Sequence, residues 1–291
     1  MAGARPIVDP PSFTPLPFGL WDSIQQPTAT PHWQYGVSWI ERCPVGSTTY
    51  DECISVTGTG SPSPSPAKTD NVNQTFRGAT PITVFARFDC SPVGIGDATN
   101  AAADALARVE STQLETAFWT GTAGDRPVVF PHLAANAPVL DAQGFTLQTA
   151  ASIVITGADV ADSLGALEQE LSECYSGQGV IHIPPSVLPT FVAWNLAIER
   201  DGDLWTPRGN RIVVGGGYPG TSPNGVAPAA NTTWIYATGA VFGYRGDVFL
   251  TQEHDSFDRA ENTIQMIAER TYVIGWECCH LATLITLGVP V

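Results

Sequence analysis

The sequence predicts an α+β chain in which a few helices lie on antiparallel sheet, and three observations carry that expectation. Glycine at 28 and proline at 24 residues, against 14% charged residues, describe strands, turns and extended segments more than a helical bundle. One run, 97–119, has strong helical propensity. The closing run is rich in β-branched and aromatic residues, which suit strands. At 291 residues the chain can form one large domain or two moderate ones, each burying a core.

Residues 1–31 hold seven prolines, with Phe13, Phe18, Leu20 and Trp21 between them. Proline fixes φ and removes a donor, so this is an extended arm whose aromatics need a surface. A neighbouring subunit would supply one; a flexible leader is the alternative. HWQYGVSWIERC (32–43) reads as a strand. After Cys53, the stretch TGTGSPSPSPAKTDNVNQTF cannot build a core and reads as a projecting loop. TPITVFARF (80–88) reads as the returning strand, so strand, loop and strand make a protruding hairpin.

From Asp97, a candidate N-cap, the run to Trp119 reads as a long helix with an Asp104–Arg108 pair at i,i+4. Its apolar positions Ala102, Ala105, Leu106 and Val109 fall out of phase with Leu114, Ala117 and Phe118, which predicts a change of packing partner along its length. A second helix is expected over 159–175, where Val160, Leu164, Leu167, Leu171 and Cys174 recur at helical spacing. GVIHIPP reads as a buried strand, 186–198 as a helix capped by Ser186, and RIVVGG and TTWIYATGAVFGYRGDVF as further strands. The end of the chain reads as a buried β-hairpin that includes Cys278, Cys279 and His280. There is no internal repeat.

The net charge of -15 and pI near 4.5 exclude affinity for a phosphate backbone built on cation contacts. The N-terminus lacks the apolar segment of a secretory signal, so a cytosolic product is expected. On that reading Cys43, Cys53, Cys90, Cys174, Cys278 and Cys279 are mostly free, buried thiols.

RIVVGGGYPGTSPNG formally matches G-x-G-x-x-G at Gly215, Gly217 and Gly220. A dinucleotide loop must open a helix, and Pro219, Pro223 and Pro228 oppose one. An exposed, flexible loop is expected instead. Cys278 with His280 could give only part of a zinc site, because adjacent strand side chains face opposite ways. There is no G-x-S-x-G elbow, and His254 with Ser256 reads as a solvated polar loop. The apolar run 272–291 is interrupted by Glu277, His280, two glycines and Pro290, so a buried strand pair fits better than a membrane anchor. No catalytic, cofactor-binding or metal-ligating residue is assigned.

The order of elements, with the segments FGLWDS, TPHWQYGV, FDCSPVG, GVIHIPP, RIVVGGGYP and AERTYVIGWECC, resembles tailed-bacteriophage major capsid proteins of the Hong Kong 97 fold, actinobacterial-phage members above all; encapsulins share that fold. The resemblance implies an N-terminal arm and first strand over 1–44 and an extended β-hairpin loop over 45–90. It implies a peripheral domain over 91–135 and 245–291 with a spine helix at 97–119, and an axial domain over 136–244 whose tip holds the glycine-rich loop 215–220. The implied function is a shell of hexamers and pentamers around double-stranded DNA, assembled in the host cytoplasm, with scaffold, portal and cement proteins as further partners. No cofactor, membrane or sequence-specific nucleic-acid contact is implied. A phage tail or decoration protein, or a soluble enzyme using loop 215–220, is the alternative. Some capsids of this fold are tied by lysine-to-asparagine links from the extended loop. Lys68, the only lysine, lies there near Asn71 and Asn73, but a lysine in a polar loop is ordinarily solvated, and a shell held by non-covalent contacts is expected. A Cys43–Cys53 disulfide formed outside the cell is left open.

Overall fold

The computed structural model describes residues 11–28, 30–43, 75–90, 98–124, 128–155, 157–258 and 263–288. Asp97, Cys53, Lys68, Asn71 and Asn73 lie outside these residues, as do the side chains of Cys90, His254 and Ser256.

Two large sheets organise the chain. In the first, β14 (Thr263–Trp276) pairs with β3 (Ile82–Cys90) along one edge, and with β13 (Phe249–Asp258) and then β12 (Val241–Arg245) along the other, all antiparallel. The long helix α1 (Ala98–Thr120) packs on β3 and β14. Ala98, Ala102 and Leu106 bury in its first half; after a turn that leaves Val109 exposed, Leu114, Glu115, Ala117, Phe118 and Trp119 bury in its second. The phase change read in the sequence is this change of neighbours. Midway, Arg270 Nη1 on β14 donates to both Glu110 oxygens, at 2.8 and 3.0 Å.

The second sheet has seven strands in the order β6 (Ser152–Ile153), β15 (His280–Thr286), β11 (Thr232–Thr238), β7 (Val180–Ile183), β10 (Arg211–Val214), β9 (Asp203–Trp205) and β8 (Ile198–Arg200). It is mixed, because β7 with β10 and β6 with β15 run parallel, which corrects the expectation of antiparallel sheet alone. Helix α2 (Val160–Tyr175) lays Val160, Leu164, Leu167 and Leu171 against this sheet. Its N-cap is Asp159, whose Oδ1 accepts from Ala161 and Asp162 N–H at 2.8 and 2.9 Å. The helix expected over 186–198 is shorter: a 3-10 turn (Pro185–Val187) leads into α3 (Leu188–Ala193), and the chain turns at Asn195, with φ 54, into β8. Two small sheets complete the fold, β1 (Val37–Ile40) with β2 (Phe76–Ala79) and β4 (Val139–Leu140) with β5 (Thr146–Gln148).

The hairpin expected from 32–88 therefore closes through β1 and β2, whereas β3 belongs to the large sheet. Its base docks through Trp39, edge-on to Phe242 with ring centroids 4.9 Å apart. Gly275 makes this possible, since a Cβ there would stand 2.7 Å from the Trp39 ring.

The closing hairpin is corrected outright. β14 and β15 do not pair with each other; each joins a different sheet, and Glu277–Cys279 is the joint between them. The range 245–291 thus divides, its last strand lying beside β11. The cysteines are corrected as well. Cys43 bonds Cys278 and Cys174 bonds Cys279, with Cα separations of 5.4 and 5.8 Å, so these four are cystines rather than free thiols, and Cys43 is not available to Cys53. Sequence spacing hides such pairs, 235 and 105 residues apart.

The arm needs correction too. Leu20 is fully buried, Ser23 and Ile24 nearly so, and Trp21 meets Tyr272 edge-on at 5.3 Å. Val214 N–H donates to Phe18 O, and Gln25 N–H to Val241 O. The aromatics found their surface on their own subunit, with Arg108 over Phe13 at 5.4 Å and Arg245 over Trp21 at 5.0 Å. Leu20→Ala should therefore lower unfolding free energy by about 2–5 kcal/mol in urea titration, and deleting residues 1–25 should leave no cooperatively folded protomer. A truncated chain with a sharp unfolding transition would return the arm to the surface.

Candidate functional site

One buried junction lies between the two sheets; of the residues weighed in the sequence it takes in the glycine-rich loop, and its carboxylate, Glu115, was not among them. Glu115, on α1, is 3% exposed. Its Oε1 accepts from Leu20 N–H at 3.0 Å and its Oε2 from Gly217 N–H at 3.0 Å. Burial raises its pKa, and the N–H donors oppose that shift. One carboxylate thus ties the N-terminal segment and the glycine-rich loop to the helix.

The loop after β10 is correspondingly not the exposed, flexible loop expected of 215–220. A Cβ on Gly217 would collide with Thr112 O of α1. Thr116 Oγ1 donates to Gly217 O at 3.0 Å, Trp119 Nε1 to Thr221 Oγ1 at 3.0 Å and Tyr236 O–H to Thr221 O at 3.0 Å. The glycines serve close approach to the helix. The next regular element is strand β11, so no helix N-terminus faces the loop, and Gly217 N–H is already committed to Glu115. A clue lay in Tyr218, an aromatic among the glycines and prolines, which is 4% exposed.

Tyr218 continues the junction into the seven-stranded sheet. Thr238 Oγ1 donates to Gly239 O at 3.0 Å, so it accepts from His182 Nε2 at 3.1 Å; His182 Nδ1 then accepts from Tyr218 O–H at 3.2 Å. His280 Nε2 donates to Leu133 O at 2.7 Å, and its ring lies 5.0 Å from Trp276. Burial lowers His182 to about 3 and His280 to about 4, and lowers His132 as well. These histidines are neutral hydrogen-bonding core residues.

Cys278 and His280 do not share a strand face, since Cys278 sits in the joint with φ 55 and its sulfur is bonded to Cys43. Among the described residues, no three His, Cys, Asp or Glu side chains are grouped as a metal would require. No helix among them is long and apolar enough to cross a membrane. A cleft of about 320 Å³ beside the hairpin base is lined by Thr75, Phe76, Arg77, Phe145, Thr146 and Thr149. Its one charged group, Arg77, is engaged by Glu41 at 3.0 Å and by Thr146 O at 3.1 Å. No nucleophile and base face each other there.

No protein-family model and no curated protein matches the chain. Solved structures do. The chain is similar to the capsid of a native GTA particle, at 11% identity and a TM-score of 0.52 over 99% of this chain and 95% of the other. It is similar to structures of Microbacterium phage Oxtober96 and Mycobacterium phage Cain, each at 14% identity and a TM-score of 0.51, over 97% and 96% of this chain and 95% and 93% of theirs. The fold is that of phage major capsid proteins, the Hong Kong 97-like α+β capsid fold.

Two outcomes test the junction. Glu115→Gln replaces one accepting oxygen by an amide that confronts a backbone N–H, and should cost about 1–3 kcal/mol in urea unfolding. For pH, His182 and His280 have folded values below the ordinary 6.5, so the unfolded chain takes up their protons first as pH falls. Their contribution is intact above pH 6.5 and is lost progressively toward pH 4 and then 3. Glu115 and Glu41, both raised by burial, act in the opposite direction, from their raised values down to the ordinary 4.5. The larger histidine shifts should win, and unfolding midpoints measured between pH 7 and pH 4 should fall; a flat profile would contradict the burial of the two rings.

Proposed function

We propose that the chain is the major capsid protein of a tailed bacteriophage, which assembles through itself into an icosahedral shell around double-stranded DNA. The observation that supports this most is the fold likeness over 99% of the chain to a particle capsid. Its role is structural, with no catalytic step, and its place is the virion after assembly in the host cytoplasm.

In this reading α1 with the sheet of β3, β12, β13 and β14 is the peripheral unit, and the seven-stranded sheet with α2 and α3 is the axial unit. The extended loop expected over 45–90 is rooted at β1 and β2, and its last stretch, β3, goes to the peripheral sheet instead. Residues 1–44 are the arm and first strand, of which 18–25 is held by its own subunit. Hexamers and pentamers form by covering apolar side chains the protomer leaves in water, such as Phe85, Ile153, Ile155 and Phe249, exposed by 62, 65, 86 and 62%. Burial of such area contributes about 25 cal/mol per Å². The charge of -15 keeps the wall from adhering to packaged DNA. Scaffold, portal and cement proteins are the further partners, and the shell is held without Lys68 cross-links.

Negative-stain microscopy of the expressed full chain tests the reading. A lone protomer of this length has a radius of gyration of about 19 Å. Rings of five or six copies and closed particles many times that size are expected. A monodisperse monomer or dimer at every protein and salt concentration would overturn the proposal. Particles boiled with detergent and reductant should run as one band near 30.8 kDa; a ladder lost in Lys68→Ala would show covalent linkage.

A further inference from the structure

The joint Glu277–Cys279 is three residues long, yet three parts of the molecule are bonded through it. It is the covalent passage from β14 in one large sheet to β15 in the other. The left-handed backbone at Cys278, φ 55, sends adjacent sulfurs to different partners: Cys278 to Cys43, just beyond β1, and Cys279 to Cys174, in the last turn of α2. Cys43 follows β1, the strand that pairs with β2, so the first cystine clamps the base of this strand pair to the core.

Non-covalent contacts hold the same arrangement. Arg42 N–H donates to Glu277 Oε2 at 3.3 Å, and Glu277 N–H donates to Ala240 O at 3.1 Å. Glu41 holds Arg77 of β2. The Arg42–Glu277 contact thus sets the Cys43 and Cys278 neighbourhoods side by side without the S–S bond, and Cys174 and Cys279 share the apolar cluster of α2 and β15. Cys43, Cys174 and Cys278 are only partly buried, within reach of a small oxidant.

We propose that this joint is an oxidative cross-linking site, open as four thiols during assembly and closed as two cystines once the particle meets an oxidising medium. The timing rests on the shell reading above, because host cytosol keeps thiols reduced. The oxidant is molecular oxygen: per cystine, two S–H bonds break, one S–S bond forms, and the two electrons and two protons reduce one O₂ to H₂O₂. The cystines are intramolecular, so closure locks the loop root and the two sheets within each subunit without linking subunits, and it stabilises by restricting the unfolded chain across spans of 235 and 105 residues.

The test compares particles lysed directly into N-ethylmaleimide with particles held in air-equilibrated buffer, by peptide mass mapping, thermal unfolding and microscopy of the same samples. The quenched sample should carry maleimide on Cys43, Cys174, Cys278 and Cys279. The aired sample should yield the 43–278 and 174–279 linked peptides and a Tm higher by on the order of 10 °C, a gain erased by dithiothreitol. Cys43→Ser should keep the 174–279 link and part of the gain. The proposal falls if the aired sample stays fully alkylatable, if both links are already present in the quenched sample, or if Cys43 maps to Cys53. Closed particles with four free thiols would sink the cross-link alone; both links in a small oligomer would sink the shell reading alone.

Discussion

Much of the structure depends on one buried carboxylate. Glu115 receives backbone N–H groups from two segments remote in sequence, Leu20 and Gly217, on a helix whose buried face is mostly apolar. Removing an acid from water is costly, and the cost is met only when its oxygens are satisfied. That condition fixes where the N-terminal segment crosses the helix and how closely the glycine-rich loop approaches it. Tyr218, placed by the same loop, then reaches His182 in the second sheet. Helix, arm and both sheets are thereby referred to one point.

The second constraint is the path of the chain from Thr263 to Thr286. β14 spans one sheet, the joint Glu277–Cys279 turns, and β15 enters the other beside β11. Rotating one sheet against the other would disturb this joint and the aromatic packing of Phe118, Trp276 and His280.

Much of this was legible in the sequence. Both long helices stand where propensity and spacing put them, because α1 is alanine-rich and α2 carries a clean apolar stripe behind Asp159. The fold as a whole was legible from the order of elements. What failed was what depends on distant partners. A glycine-proline run reads as a free loop unless one knows that a helix lies against it, and a proline-rich start reads as a free arm unless one knows that Leu20 has a pocket. Strands 263–276 and 280–286 look alike by composition, and only their registers with β12 and β11 separate them. The cysteines misled for a similar reason: a cytosolic reading favours thiols, whereas geometry brings two pairs within bonding distance.

The central claim is that this chain itself builds a closed shell, and an icosahedral cryo-electron microscopy reconstruction of its purified particles tests it most directly. The account predicts continuous walls made of this chain alone, with α1 and the β14 sheet in the capsomer body and the seven-stranded sheet toward the five- and six-fold axes. A helical tube, a shell of another protein with this chain seated on its outside, or walls in which α1 and the β14 sheet face those axes would contradict it.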